Sequence, residues 1–337
     1  MKARASGSPL VKRALFHSGL LALARLARPR ERGVVLRYHA LTDGAAPVLY
    51  AAPDICLPVE LFRVQMAFAK RAYSVVSLDD LVDVLERGAA LPKRPLAVTF
   101  DDGYADNHRL GLPVLRALGL SATVYVATGS VAGGAPFWVG AARALALSAP
   151  GTSLTVPDGI TIGLDGDRAG AVKALTRALV PMGAAARAAF LAAAAAEAGI
   201  DLHELLAHTM LTWAQIRELH AAGWTIGAHT VTHTNVALAE PEEAEREIIG
   251  SRDALAAAIG SPVRHFCYPN TGGSHRYFSS DTGALLQRLG FRAATTSVPG
   301  AVRPDVDRFA LPRLGVSPRL GPVSALAVAL ERQRLAA

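Results

Sequence analysis

Short, mostly apolar runs recur along the chain and are separated by longer stretches whose apolar residues return at helical spacing. The runs are GVVLRY (33–38), YSVVSL (73–78), PLAVTF (95–100), SATVYVAT (121–128), WTIGAH (224–229), RHFCYP (264–269) and FRAATT (291–296). Their weak polar alternation predicts strands covered on both faces. Between them the spacing predicts a helix from Pro58 to Arg71, with the proline suited to its first turn. Ser77 is placed to cap LDDLVDVLERG, which Gly88 ends. Further helices are expected at 108–118, 212–222, 241–259 and 281–289, the last capped by Asp281 and stopped by Gly290. Strand–helix alternation predicts a parallel sheet. About seven such units favour a closed or nearly closed α/β barrel over an open sheet.

The rhythm breaks over residues 129–211. Gly, Pro and Ser mark 129–136 and 148–159, and an Ala-rich helical stretch follows at about 168–199. This reads as a helical insertion beside the barrel, its alanine run reflecting helix propensity and carrying no chemistry. The expected organisation is a basic helical leader (1–32), a barrel domain (33–320) holding the insertion, and a C-terminal helix (321–337).

Charge changes the picture at one end only. Residues 1–32 hold eight Lys/Arg and one acid, Glu31, whereas the rest of the chain balances 27 basic against 27 acidic residues. A near-neutral body argues against a nucleic-acid partner. The leader's longest charge-free stretch, Ala14 to Ala24, is too short to span a bilayer, and no clean cleavage site follows it. A basic amphipathic helix on an anionic membrane surface and a solvated helix packed on the domain are both open readings. Cys56 and Cys267 lack a CxxC spacing and read as reduced core residues of a cytoplasmic protein.

Candidate chemistry gathers where strands end, because ligands of parallel β/α folds collect at the carboxyl ends of strands. Strand 95–100 ends in Asp101-Asp102, strand 224–228 in His229 with His233 four residues on, and strand 33–38 in His39. The HTVTH spacing puts two imidazoles on one side of a turn, and two histidines with a carboxylate make a metal site with open positions. Adjacent aspartates can divide labour, one on a metal and its neighbour on the water, since extended residues point opposite ways. Taken singly, each motif has a plainer reading: two surface histidines, or an Asp-Asp-Gly turn with a helix cap.

TFDDGYAD followed by GAHTVTH resembles the polysaccharide deacetylase family, the NodB-homology group or carbohydrate esterase family four. The stretches LTWAQIRELHAAGWTIGAHTVTHTNVA, REIIGSRDALAAAIGSPVRHFCYPNTGG and LGFRAATTSVPG follow the same family over about residues 33–316. The resemblance implies a distorted β/α barrel, a divalent metal, usually zinc, and hydrolysis of N-acetyl or O-acetyl groups on sugars. It implies Asp101 as general base and Asp102, His229 and His233 as metal ligands, with the Tyr104 region of the same motif at the substrate.

Two departures from the family pattern matter. The family's C-terminal Leu-x-His is absent, since 308–337 contains no histidine. LRYHAL instead resembles the circularly permuted branch with an N-terminal Tyr-His, which assigns His39 as general acid; a histidine satisfied in the core is the alternative. The family's Arg-x-Pro-Tyr motif reads FCYPNTGG here. Pro269 is kept, Asn270 follows it with a backbone N–H able to hold an oxyanion, and the missing arginine leaves Arg313, in LPRLGV, as a candidate to orient the base from another strand. Asp106 and Asn107 could brace the turn or cap the next helix. Trp138 and Trp213 could stack on a sugar or simply pack, and His108, His203, His208, His220, His265 and His275 stay unassigned.

The expected activity is removal of acetyl groups from an amino-sugar-containing glycan or glycolipid precursor. A deformylase or other small-amide hydrolase on the same site, and a carbohydrate-binding pseudoenzyme, are the alternatives. A two-carboxylate glycosidase needs acids about 5–10 Å apart across a cleft, which adjacent residues on one strand end do not supply.

Overall fold

The computed structural model describes residues 8–18, 32–45, 48–88, 92–131, 133–271 and 276–335. Most of the leader, at 1–7 and 19–31, lies outside the described residues, as does His275.

Eight strands form one sheet: β1 (Val34–Tyr38), β2 (Ser74–Val75), β3 (Pro95–Phe100), β4 (Thr123–Val126), β5 (Thr225–Ala228), β6 (His265–Cys267), β7 (Ala293–Thr295) and β8 (Leu314–Gly315). Their order is β7-β6-β5-β4-β3-β1-β8, and β2 pairs with the start of β3. Every pairing in this sheet is parallel. The sheet curls until its two ends approach. Thr295 bridges Leu311, the Thr296 N–H donates to the Leu311 carbonyl at 2.9 Å, and Arg313 N–H to Val298 O at 2.8 Å. The result is a distorted β/α barrel whose last seam is closed by a few bonds rather than a full ladder.

The strands are apolar throughout because both faces are covered. All six residues of β3 are buried. Val35, Ala97, Tyr125, Cys267 and Ala293 form a small cluster inside the barrel, while Leu36, Val98, Val124, Ile226 and Phe266 belong to the large cluster shared with the surrounding helices. Small interior residues leave room for larger ones. A Cβ on Gly227 would lie 2.4 Å from the Tyr125 ring, so the bare glycine in β5 is what lets that ring cross it.

Helices form at the expected places: Val59–Ala72, Leu78–Arg87, Trp213–Ala221, Pro241–Ile259 and Ser280–Arg288. Ser77 and Asp80 make a reciprocal capping box, and Gly88 closes that helix with φ 64°. Asp281 does not cap the Ser280–Arg288 helix; Ser279 does, in a box with Thr282, and Asp281 sits inside the first turn. The helix expected at 108–118 opens with a widened π turn, Asn107–Gly111, before Leu112–Ala117.

The insertion packs its own apolar cluster, built from helices Trp138–Ser148, Arg168–Leu179, Ala184–Glu197 and Leu202–Leu205. Pro181 and Gly183 fall at the break in the Ala-rich stretch. The Gly/Pro/Ser-marked region holds an antiparallel hairpin, Ser153–Thr155 with Thr161–Gly163, which apolar periodicity did not show because its strands are mostly exposed.

Candidate metal and acid–base site

At the carboxyl end of β3 the backbone turns sharply. The Asp101 N–H still pairs with the Tyr38 carbonyl at 3.0 Å, but Asp102 has φ +76° and Gly103 φ +87°. The left-handed turn aims the neighbouring carboxylates apart. Thr230 and His233 also have positive φ, at 63° and 54°. Such backbone is disfavoured for residues with a Cβ, and its clustering on the two chemical motifs marks a place where neighbouring structure dictates conformation.

Asp102, His229 and His233 converge although 127 residues separate the first two. Asp102 Oδ1 lies 3.3 Å from the Nε2 of both histidines. One donor atom from each residue falls within 4.8 Å of the others, and all three residues are buried. The His229 Nδ1–H donates to the Cys267 carbonyl at 2.7 Å, which turns its Nε2 lone pair toward the cluster. One carboxylate and two imidazoles form a donor set suited to a divalent ion, and that second bond on His229 is what such a ligand requires. The three residues could therefore hold a metal. Burial would push the Asp102 pKa up, but His229 and His233 hold it well below the ordinary carboxylate range.

Asp101 is held from a different direction. Arg313, fully buried just before β8, grips it with two bonds, Nη1 to Oδ1 at 2.6 Å and Nη2 to Oδ2 at 2.7 Å. The guanidinium is itself fixed by Nε–H to the Thr296 carbonyl at 2.8 Å and Nη1–H to Thr99 Oγ1 at 3.0 Å. Burial raises the Asp101 pKa, yet Arg313 outweighs it and brings the carboxyl down to about 2. His39 Nε2 stands 3.8 Å from Asp101 Oδ2. Burial lowers the His39 pKa to about 4, so its imidazole is neutral at pH 7. The His39 carbonyl accepts from the Asn107 side chain at 2.7 Å.

A polysaccharide deacetylase profile matches residues 88–294, more than half of the chain. The chain belongs to the polysaccharide deacetylase family. Among relatives, YxkH of Bacillus subtilis (strain 168), named for the same family, is 19% identical over 285 residues, covering 84% of this chain and 71% of that protein. The fold is shared with the Streptococcus pyogenes deacetylase PplD, solved with acetate, at TM-score 0.61 and 17% identity over 90% of this chain and 99% of that one. IcaB from Ammonifex degensii aligns at TM-score 0.57 and 19% identity, covering 89% of this chain and 97% of that one.

The deacetylase motifs account for the remaining expected positions unevenly. Tyr104 is 1% exposed and lies at the turn beside Asp102, packed with Ala127, Phe137 and Met210. Pro269 is buried and Asn270 half-buried just past β6, whose Cys267 touches His229 through its carbonyl and Arg313 through its sulfur at 3.1 Å. Asp106 does not cap a helix. It accepts from Leu41 N–H at 2.8 Å, the Tyr50 hydroxyl at 2.8 Å and Asn107 at 2.9 Å, bracing the turn after the aspartates. Trp138 is buried, with its indole N–H on the His233 carbonyl at 3.3 Å, and Trp213 packs against the main core. His108 and His265 are paired with Glu218 and Asp79, at 2.7 and 2.9 Å.

Sequence reasoning missed two contributors. The Cys267 carbonyl is a backbone group and leaves no mark in the sequence. Arg187 stands in the alanine stretch read as free of chemistry, yet its Nη2 reaches the Thr232 carbonyl at 3.3 Å, inside HTVTH. A lone arginine among alanines on a helix face was the available signal.

Proposed function

We propose that the protein is a metal-dependent hydrolase that removes N-acetyl or O-acetyl groups from an amino-sugar-containing glycan or glycolipid precursor. The observation that carries this reading is the separation of two neighbouring carboxylates. Asp102 shares a buried donor cluster with two imidazoles, while Asp101 is locked by Arg313 with its second oxygen toward His39. Asp102, His229 and His233 would hold a divalent ion, zinc by the donor set, which supplies a Lewis acid for the acetyl carbonyl and acidifies water.

The chain's own groups do the rest. Asp101, ionised throughout the neutral range, takes the water's proton. Arg313 keeps that carboxylate charged and aimed. The Asn270 backbone N–H follows β6 at the carboxyl face and is assigned to the developing oxyanion. His39 protonates the departing amine from Nε2. Because its imidazole starts neutral, the proton it delivers is gained during turnover, and Asp101 at 3.8 Å is the group in reach. His39 in a Tyr-His motif at the start of the barrel also supports the circularly permuted arrangement.

A peripheral membrane contact belongs to the same reading. In the helix Pro9–His17, Leu10, Val11 and Leu15 are exposed beside Lys12 and Arg13, which suits an anionic lipid surface. Among the described residues no helix is long and apolar enough to cross a membrane. The test of the activity is an acyl-release screen over acetylated nucleotide-sugars, lipid-linked sugars and glycan fragments, with and without chelator. Acetate release that stops with chelator and returns with zinc is expected. Formate in its place would redirect the reading to deformylation.

A further inference from the structure

Behind the histidine loop lies a cavity of about 560 Å³, a size that falls within the range of small-molecule pockets, about 300–1,000 Å³. The insertion supplies most of its wall. Trp138, Leu191, Ala192, Ile200 and Leu202 give it an apolar lining, and Gly129, Ser130, Ala135 and Pro136 close one side. The helix Ala184–Glu197 presents alanines here, so its face leaves space that larger side chains would fill.

The cavity is joined to the catalytic groups through the chain. Thr232, in its wall, precedes His233, and the lining indole of Trp138 donates to the His233 carbonyl. One charged group breaks the apolar wall near that junction. Arg187 is 2% exposed, stacks over Trp138 at 4.4 Å, and makes only long bonds: to Met182 O at 3.2 Å, Thr232 O at 3.3 Å and Thr234 Oγ1 at 3.4 Å. Among the described residues no carboxylate lies within ion-pair distance of it. The nearest acids are engaged elsewhere, Glu247 with the Thr232 N–H and hydroxyl at 2.8 Å each and Glu243 with Ala184 N–H at 3.3 Å. Burial lowers the Arg187 pKa to about 10, which leaves it charged at neutral pH. A buried cation with weak neutral partners gains most from an anion that brings its own apolar cover.

We infer that this cavity binds an alkyl or isoprenyl phosphate, the phosphate on Arg187 and the chain along the alanine face. Resting on the deacetylase reading, that ligand is the lipid anchor of the substrate sugar. The phosphate site adjoins Thr232, the residue before His233, and so sits against the loop that carries two of the donor groups.

The test is titration calorimetry of the full chain with decyl and dodecyl phosphate, below the concentration at which they form micelles. One-to-one binding is expected, with each added methylene tightening it about fourfold. Arg187→Gln should weaken dodecyl phosphate about tenfold or more while leaving dodecanol unaffected. Ala192→Phe, at a position open to the cavity, should abolish binding of both without moving the thermal midpoint. Absence of saturable binding, or binding indifferent to both substitutions, overturns the inference. If both substitutions act on binding but no acetylated sugar yields acetate, the lipid-phosphate site stands and the deacetylase reading fails.

Discussion

In the proposed mechanism, the Asp101–Arg313 pair sets the protonation state of the base. Both side chains are buried, at 5% and 0% exposure, and two short bonds join them. Removing the guanidinium leaves a buried carboxylate without its counter-charge, a change that costs about 3–5 kcal/mol in comparable pairs. Burial then acts on Asp101 alone and raises its pKa. Arg313→Gln should therefore lower stability by that order and introduce an acid limb in kcat that moves toward neutral pH, since a base works only when deprotonated. A pH–rate profile read beside thermal melts checks both. The reach of Arg313 was legible only as a candidate, because a bidentate contact between positions 212 residues apart depends on how β8 closes the barrel. Tyr104 shows the opposite limit. Its place in the motif was plain, but its burial against Phe137, with ring centroids 5.8 Å apart, follows from the fold and leaves no mark in the sequence.

At the scale of elements, the turn after β3 is held by a polar knot as well as by the apolar packing of Tyr104. Asp106 ties the π turn to the backbone of Leu41, just past β1, and to the Tyr50 hydroxyl. Burial raises its pKa from 3.8 to about 7. The folded state thus keeps a proton between pH 4 and 7 that the unfolded chain has lost. Its contribution to stability is complete below about pH 4, falls as pH rises toward 7, and is flat above, a change of about 4 kcal/mol at most. Asp106→Asn should flatten that part of the melting-temperature profile relative to the parent. The barrel strands were readable because burial on both faces leaves continuous apolar runs, and the helices because Ser77 and Gly88 punctuate the chain. The exposed hairpin at 153–163 and the displaced cap at Ser279 were not readable. The hairpin has no buried face to impose a period, and a serine two residues ahead of an aspartate offers an equally good cap.

At the scale of the whole molecule, a family barrel carries the hydrolytic groups, and an insertion with its own core stands against the loop that holds two of them. Arg187 and Trp138 make that connection, so the insertion bears on the site although its composition reads as plain helix. The proposed membrane contact of the helix Pro9–His17 is tested at this scale. Replacing Leu10, Val11 and Leu15 by Ser should reduce co-sedimentation of the full chain with vesicles rich in anionic lipid and leave neutral vesicles unaffected; equal sedimentation would assign the helix to packing on the domain. The central claim is that two adjacent carboxylates do different work, and paired metal analysis with acetate release tests it most directly. Asp102→Asn should lose both bound metal and turnover. Asp101→Asn should retain about one divalent ion per chain with turnover lowered by about a hundredfold or more. Full acetate release by Asp101→Asn, or undiminished metal in Asp102→Asn, would contradict the account.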